Sequence, residues 1–191
     1  MKLFLIRHGQ SEANVNLRYA GQTDSKLTEL GCQQAQAIRP VLANIPFDRV
    51  YSSDLSRALD TQKLALPDYT AETTPLLREF AVGTLSGKSF ITLESDPALV
   101  SVRKRDYTPF GGENADMVYD RVRQFLAGLE ADPCENVAAF VHNGVMLTML
   151  RVAIGTDFDY GATRSGNCAI HIFDYDGKTW RLLSWNYMKP V

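Results

Sequence analysis

The sequence has only three cysteines in 191 residues, Cys32, Cys134 and Cys168, odd in number and widely scattered. Such a set builds neither a disulfide framework nor the close pairs of a structural zinc site, and it fits a reducing cytosol. An excess of charge of one sign is also missing. Lysine and arginine number 20 against 22 acids, a formal net charge of -2, which excludes a general attraction to nucleic acid or an anionic membrane. Long hydrophobic runs are absent. The N-terminal stretch Leu3-Phe4-Leu5-Ile6 is too short for a signal-peptide core or a membrane span. Repeats, low-complexity tracts and linkers are missing as well. These absences point to a cytoplasmic chain with residues 1–191 as a single domain, and 45% hydrophobic residues suffice for a sizeable core. Any anion must then be met by a local cluster of cations.

What is present is an alternation of short apolar strands and helices. Leu3 to Ile6 reads as a buried strand that stops at Arg7-His8-Gly9. Leu27, Gly31, Ala35, Ile38 and Leu42 share one helix face that Thr28 opens, with Pro40 expected to end or bend it. Val50-Tyr51 reads as a strand, followed by a helix carrying Leu55, Ala58, Leu59 and Gln62, with Ser53 or Asp54 as its cap. Residues 80–112, with Gly83, Gly87, Pro109, Gly111 and Gly112, form a lid-like excursion containing a helical turn near Ile91 to Glu94. Val118, Val122, Phe125 and Leu129 restore helical spacing. Val137 to Val141 is a second apolar strand, ending at His142. Asn143 is expected to cap a nearly all-apolar helix from Val145 to Ile154, closed by Gly155. Ile170 onward and Thr179 to Trp185 flank Asp176-Gly177 as a hairpin. The expected class is α/β, three layers α/β/α with a mostly parallel central sheet and an antiparallel edge strand.

Chemistry gathers at two strand ends. His8 and His142 each follow a buried strand, and each has a glycine within two residues. Open α/β sheets bind ligands at the carboxyl ends of their strands, and glycines there let backbone N–H groups approach an oxyanion. Arg7 and Arg57 add permanent charge and a forked donor geometry that matches phosphate. The helix end after Asn143 also favours an anion. Together these groups describe a phosphoryl site. His8, His142 and Glu79 are acceptable zinc ligands by type. No close pair such as His-x-x-x-His is present, however, and two arginines would repel a cation, so neither a metal nor a cofactor is expected.

Five ordered blocks carry a family resemblance: Arg7-His8-Gly9 with Asn14, Gly21-Gln22-Thr23-Asp24 and Leu27-Thr28; Tyr51 to Ala58 around Arg57; Leu77-Arg78-Glu79 with Gly83; Gly111-Gly112-Glu113; and Val141-His142-Asn143-Gly144. In this order they resemble the histidine phosphatase superfamily, also called phosphoglycerate-mutase-like. The resemblance implies a phosphoric monoester hydrolase of the histidine acid phosphatase type, acting on a small-molecule phosphate ester. His8 would be the nucleophile, forming a phosphohistidine that water hydrolyses. Arg7, Arg57 and His142 would hold the phosphoryl oxygens, and Glu79 would protonate the leaving oxygen and later activate water. Asn14, Gly21, Gln22 and Asn143 would add contacts to the substrate.

Two departures blur the substrate: Thr84-Leu85-Ser86-Gly87 follows Gly83, and Asn143 stands where the family often has glycine. The rival within the family is a cofactor-dependent phosphoglycerate mutase, disfavoured because Phe80-Ala81-Val82 after Glu79 lacks the Arg-x-Tyr pattern of those enzymes. A non-catalytic phosphate-binding protein is the rival outside enzymes. Three further features stand apart. Glu113 reads as either a helix-dipole acid or a site contact, and His171 as structural. Arg103, Lys104 and Arg105 read as a solvated cluster that could also meet a second anionic group.

Overall fold

The structure, a computed structural model, describes residues 1–96, 100–155, 163 and 165–187, with the side chains of residues 93–95 left aside. In chain order its elements are β1 (Lys2–Arg7), α1 (Glu12–Val15), α2 (Glu29–Leu42), β2 (Arg49–Ser53), α3 (Ser56–Ala65), β3 (Glu72–Thr74), α4 (Phe90–Ser95), α5 (Val100–Arg103), α6 (Ala115–Ala131), β4 (Asn136–Val141), α7 (Asn143–Ile154), β5 (Ile170–Tyr175) and β6 (Trp180–Ser184), with single 3-10 turns at Pro75–Leu77, Gly83–Leu85 and Thr108–Phe110.

The six strands form one sheet in the order β3-β2-β4-β1-β5-β6. The first four are parallel, while β5 runs antiparallel to β1 and β6 antiparallel to β5. The sheet is thus mostly parallel, with the antiparallel pair β5-β6 closing that edge. The continuous apolar runs of β1 and β4 follow from burial on both faces. Leu3, Leu5, Val137, Ala139 and Val141 face a core shared with α6 and α7. Phe4, Ile6, Ala138 and Phe140 face the opposite core, with Ala35 and Ile38 of α2 and Ala58 of α3. Each such Leu, Ile, Val or Phe side chain taken from water contributes about 1.5–3 kcal/mol. Among the described residues, no helix is long and apolar enough to cross a membrane.

Several helix ends differ from expectation. Thr28 caps α2, its hydroxyl accepting from the Gly31 N–H at 3.0 Å. Pro40 stays inside that helix. It lies in the last turn on the exposed side, where water can satisfy the carbonyl left without an N–H partner. Neither Ser53 nor Asp54 caps α3. Its cap position is Leu55, Asp54 forms a two-point ion pair with Arg78, and the Ser56 N–H donates instead to Asp24 at 3.1 Å. His142, not Asn143, is the N-cap residue of α7, and left-handed Gly155 closes that helix as expected. The strand β3 was unmarked, since Glu-Thr-Thr carries no apolar pattern.

Candidate active site

Parallel register sets Arg7 opposite Val141, so the next residues, His8 and His142, emerge side by side. Their ring centroids lie 5.2 Å apart with planes tilted by 54°. His8 Nδ1 sits 2.7 Å from the Gly9 carbonyl oxygen. A carbonyl only accepts, so Nδ1 carries the proton and Nε2 keeps its lone pair. Burial, reinforced by the guanidiniums of Arg57 and Arg7, holds His8 well below its ordinary value of 6.5. The ring is neutral at pH 7. Burial first, then Arg57, His8, Arg121 and Arg7, lowers His142 in the same way. Both His142 ring nitrogens are buried without a hydrogen-bond partner. An unmet buried polar group costs about 1–3 kcal/mol, a cost that a bound oxyanion would relieve.

Arg57 is the second residue of α3 and almost wholly buried. It donates from Nη2 to the Gly21 carbonyl at 2.8 Å and from Nη1 to that of Thr23 at 3.1 Å. Thr61 Oγ1 donates to the Arg57 carbonyl at 2.6 Å and accepts from the Gly9 N–H at 2.9 Å. One hydroxyl thus ties α3 to the turn after β1. Arg7 donates from Nη1 to the Ser165 carbonyl, while its Nε is buried with no partner.

A cleft of about 540 Å³ opens over these groups. Of the expected residues, Arg7, His8, Asn14, Gly21, Arg57, Glu79 and Asn143 line it. His142 lies fully buried against His8. Gln22 is turned elsewhere: its Nε2 donates to the Glu79 carbonyl at 3.1 Å and to Glu113 at 3.4 Å. Asn14 Oδ1 accepts from the Ser11 N–H at 3.1 Å and from Asn167 Nδ2 at 3.2 Å.

The carboxyl group of Glu79 accepts from the Phe80 N–H at 2.9 Å and from the Gly144 N–H at 3.1 and 3.2 Å. The start of α7, expected to face the phosphate, therefore serves Glu79. A Cβ on Gly144 would fall 2.1 Å from Glu79 Oε1, which explains the glycine there.

Sequence reasoning missed part of the wall. Tyr19, Phe90, Val102 and Tyr107 line the cleft, as does Arg18. None follows a strand end or stands in a periodic pattern with the motifs. Thr61 was legible in principle, one turn after Arg57 on the same helix face. Arg103 and Arg105 line the cleft and Lys104 does not. His171 is buried in β5, its Nε2 2.8 Å from Ser165 Oγ. Among the described residues, no group of three or more histidines, cysteines and acids could hold a metal.

The histidine phosphatase superfamily (branch 1) matches residues 3–188. This chain belongs to that superfamily. Its relatives within it include phosphatases. The adenosylcobalamin/alpha-ribazole phosphatase of Salmonella typhimurium is 32% identical over 157 residues, 78% of each chain. The Proteus mirabilis protein GpmB, which carries the name of a phosphoglycerate mutase, is 29% identical over 97% of this chain and 90% of its own. A solved mycobacterial glucosyl-3-phosphoglycerate phosphatase, in complex with VO3, superposes with a TM-score of 0.87 at 30% identity, covering 98% of this chain and 99% of that one. Superfamily membership and the shared α/β architecture thus agree.

Proposed function

We propose that this chain is a phosphatase that hydrolyses a small phosphate monoester through a phosphohistidine at His8. The observation that carries the reading is the 2.7 Å approach of His8 Nδ1 to the Gly9 carbonyl oxygen, which leaves the Nε2 lone pair free beside the guanidiniums of Arg7 and Arg57. In the first step Nε2 attacks phosphorus, an N–P bond forms, and the P–O bond to the leaving group breaks. Glu79 gives that oxygen its proton. In the second step Glu79 takes a proton from water, the resulting hydroxide attacks phosphorus, and the N–P bond breaks to release phosphate and neutral His8.

Arg7, Arg57 and His142 stabilise charge spread over the transferring oxygens. The positive field they supply stands where a metal would in other phosphoryl-transfer enzymes, so turnover needs neither metal nor cofactor. Asn14 can offer its amide N–H groups, since its oxygen is already engaged. Gly21 acts through the carbonyl that holds Arg57, and Asn143 borders the phosphate pocket. The described residues of the 80–112 excursion, among them Phe90, Val102 and Tyr107, act as a cover over the cleft within one folded unit. Three unpaired cysteines support a reducing, cytoplasmic setting.

Rapid quenching with labelled substrate should trap an acid-labile, base-stable adduct that is absent in His8→Ala. An adduct persisting in that variant would move the nucleophile elsewhere. A burst of inorganic phosphate without added bisphosphoglycerate separates hydrolysis from mutase transfer, in which a second substrate takes the phosphoryl group. No turnover of p-nitrophenyl phosphate would leave a binding protein.

A further inference from the structure

Glu79 sits on irregular backbone: residues 78–82 belong to no helix or strand. Its backbone groups therefore need partners from elsewhere. One ion pair supplies several of them, beside the Gln22 amide that also reaches the Glu79 carbonyl at 3.1 Å. Arg121 of α6 donates from Nη1 to the Leu76 carbonyl at 2.8 Å and from Nη2 to that of Glu79 at 3.2 Å. The same guanidinium grips Glu113 at 3.0 and 3.2 Å. Glu113 in turn accepts from the Ala81 N–H at 2.8 Å, and its own N–H donates to the Ala81 carbonyl at 2.8 Å. Both side chains are mostly buried, and neither lines the cleft.

The segment bearing Glu79 is thus held from both sides, by Arg121 at residues 76 and 79 and by Glu113 at residue 81. Gly112 lets that grip close, since a Cβ there would lie 2.3 Å from the Ala81 carbonyl oxygen. A largely desolvated ion pair is a weak source of stability, because apolar packing of equal volume does as well or better. What the pair supplies is directional: its bonds to the chain fix backbone groups at Leu76, Glu79 and Ala81. We infer that Arg121 and Glu113 are positioning residues that hold the Glu79 carboxyl group at the leaving-group oxygen. This rests on Glu79 being the proton donor proposed above.

A carboxyl group displaced by an ångström loses proton transfer and leaves phosphate binding intact. The effect should therefore appear as leaving-group dependence. The full chain and its Glu79→Gln, Arg121→Met and Glu113→Gln variants would be assayed on p-nitrophenyl phosphate and on phenyl phosphate, whose leaving group needs the proton more. In Arg121→Met and Glu113→Gln, kcat/KM for phenyl phosphate is expected to fall about tenfold further than for p-nitrophenyl phosphate, within the range of general acid catalysis. Combining Arg121→Met with Glu79→Gln should add no further penalty of this kind, since both act through one group.

Equal losses on the two substrates in Arg121→Met, beside an uneven loss in Glu79→Gln, would mean that the pair only supports the fold, and would overturn the inference. An even loss in Glu79→Gln itself would remove the acid and with it the role of its holders. Glu113→Gln keeps shape and one carbonyl acceptor, so it carries the test if Arg121→Met does not fold.

Discussion

His8 and His142 stand at the ends of neighbouring parallel strands, ring centroids 5.2 Å apart, and both rings are held neutral by burial and by the same arginines. Two imidazolium ions at that distance beside Arg7 and Arg57 would repel one another. In the proposed mechanism the pair acts uncharged.

The acid limb of activity should accordingly lie low. In the proposed mechanism His8 attacks as the neutral ring, and its pKa is held well below 6.5, so kcat/KM should be nearly level from about pH 7 to pH 6 and decline only further down. Profiles measured on a monoester check this. A limb centred at or above 6.5 would mean that His8 is solvated.

Stability should follow the same sign. In the unfolded chain the three histidines take up protons near 6.5, while in the fold His8 and His142 resist and His171 is lowered to about 3, by burial and then Arg7. The unfolded state then binds more protons below 6.5. The contribution is fully present above that pH and is lost as pH falls toward the folded values. Denaturant unfolding between about pH 7.5 and pH 5 should record a falling free energy, in a window above the titration of the carboxylates.

Chelation should leave turnover unchanged, because the guanidiniums of Arg7 and Arg57 already supply the positive field. Vanadate should inhibit by mimicking five-coordinate phosphorus. Loss of activity in EDTA, restored by zinc or magnesium, would sink the metal-free mechanism.

Gly144→Ala should harm both fold and acid. The new methyl would fall 2.1 Å from Glu79 Oε1 and 2.5 Å from Phe80, an overpacking that costs about 1–3 kcal/mol. Thermal melting reads the first effect. A larger loss on phenyl phosphate than on p-nitrophenyl phosphate reads the second.

Replacing Arg103 and Arg105 by alanine should raise KM for a substrate with a second anionic group and spare p-nitrophenyl phosphate. Both line the cleft; a charge-assisted hydrogen bond contributes about 1.5–3 kcal/mol when desolvated and little when exposed. Parallel responses of the two substrates would assign these arginines to the surface.

The motifs themselves were legible because each is local. Arg7-His8-Gly9 and His142 follow short apolar runs, and a run of that length bounded by charged and glycine residues fits a buried strand. Thr28 capped its helix as its spacing implied. The failures occurred where a local group met a distant partner. Asp54 was free to cap α3 on sequence grounds, yet Arg78, 24 residues away, took it. At the α7 terminus the Gly144 N–H went unassigned, and Glu79, 65 residues distant along the chain, took it.

The sequence by itself determined the alternation of buried strands and amphipathic helices, the family, and the residue types of a phosphoryl site, because hydrophobic periodicity and short motifs are encoded within a few residues. Only the tertiary structure decided that Gln22, Glu113 and Arg121 enclose the Glu79 loop, that the Gly144 N–H serves a carboxyl group, and that His8 carries its proton on Nδ1. Those are hydrogen bonds and desolvation, set by which groups meet after the chain has closed on itself. Their partners are chosen by distance in space, which no spacing along the chain records.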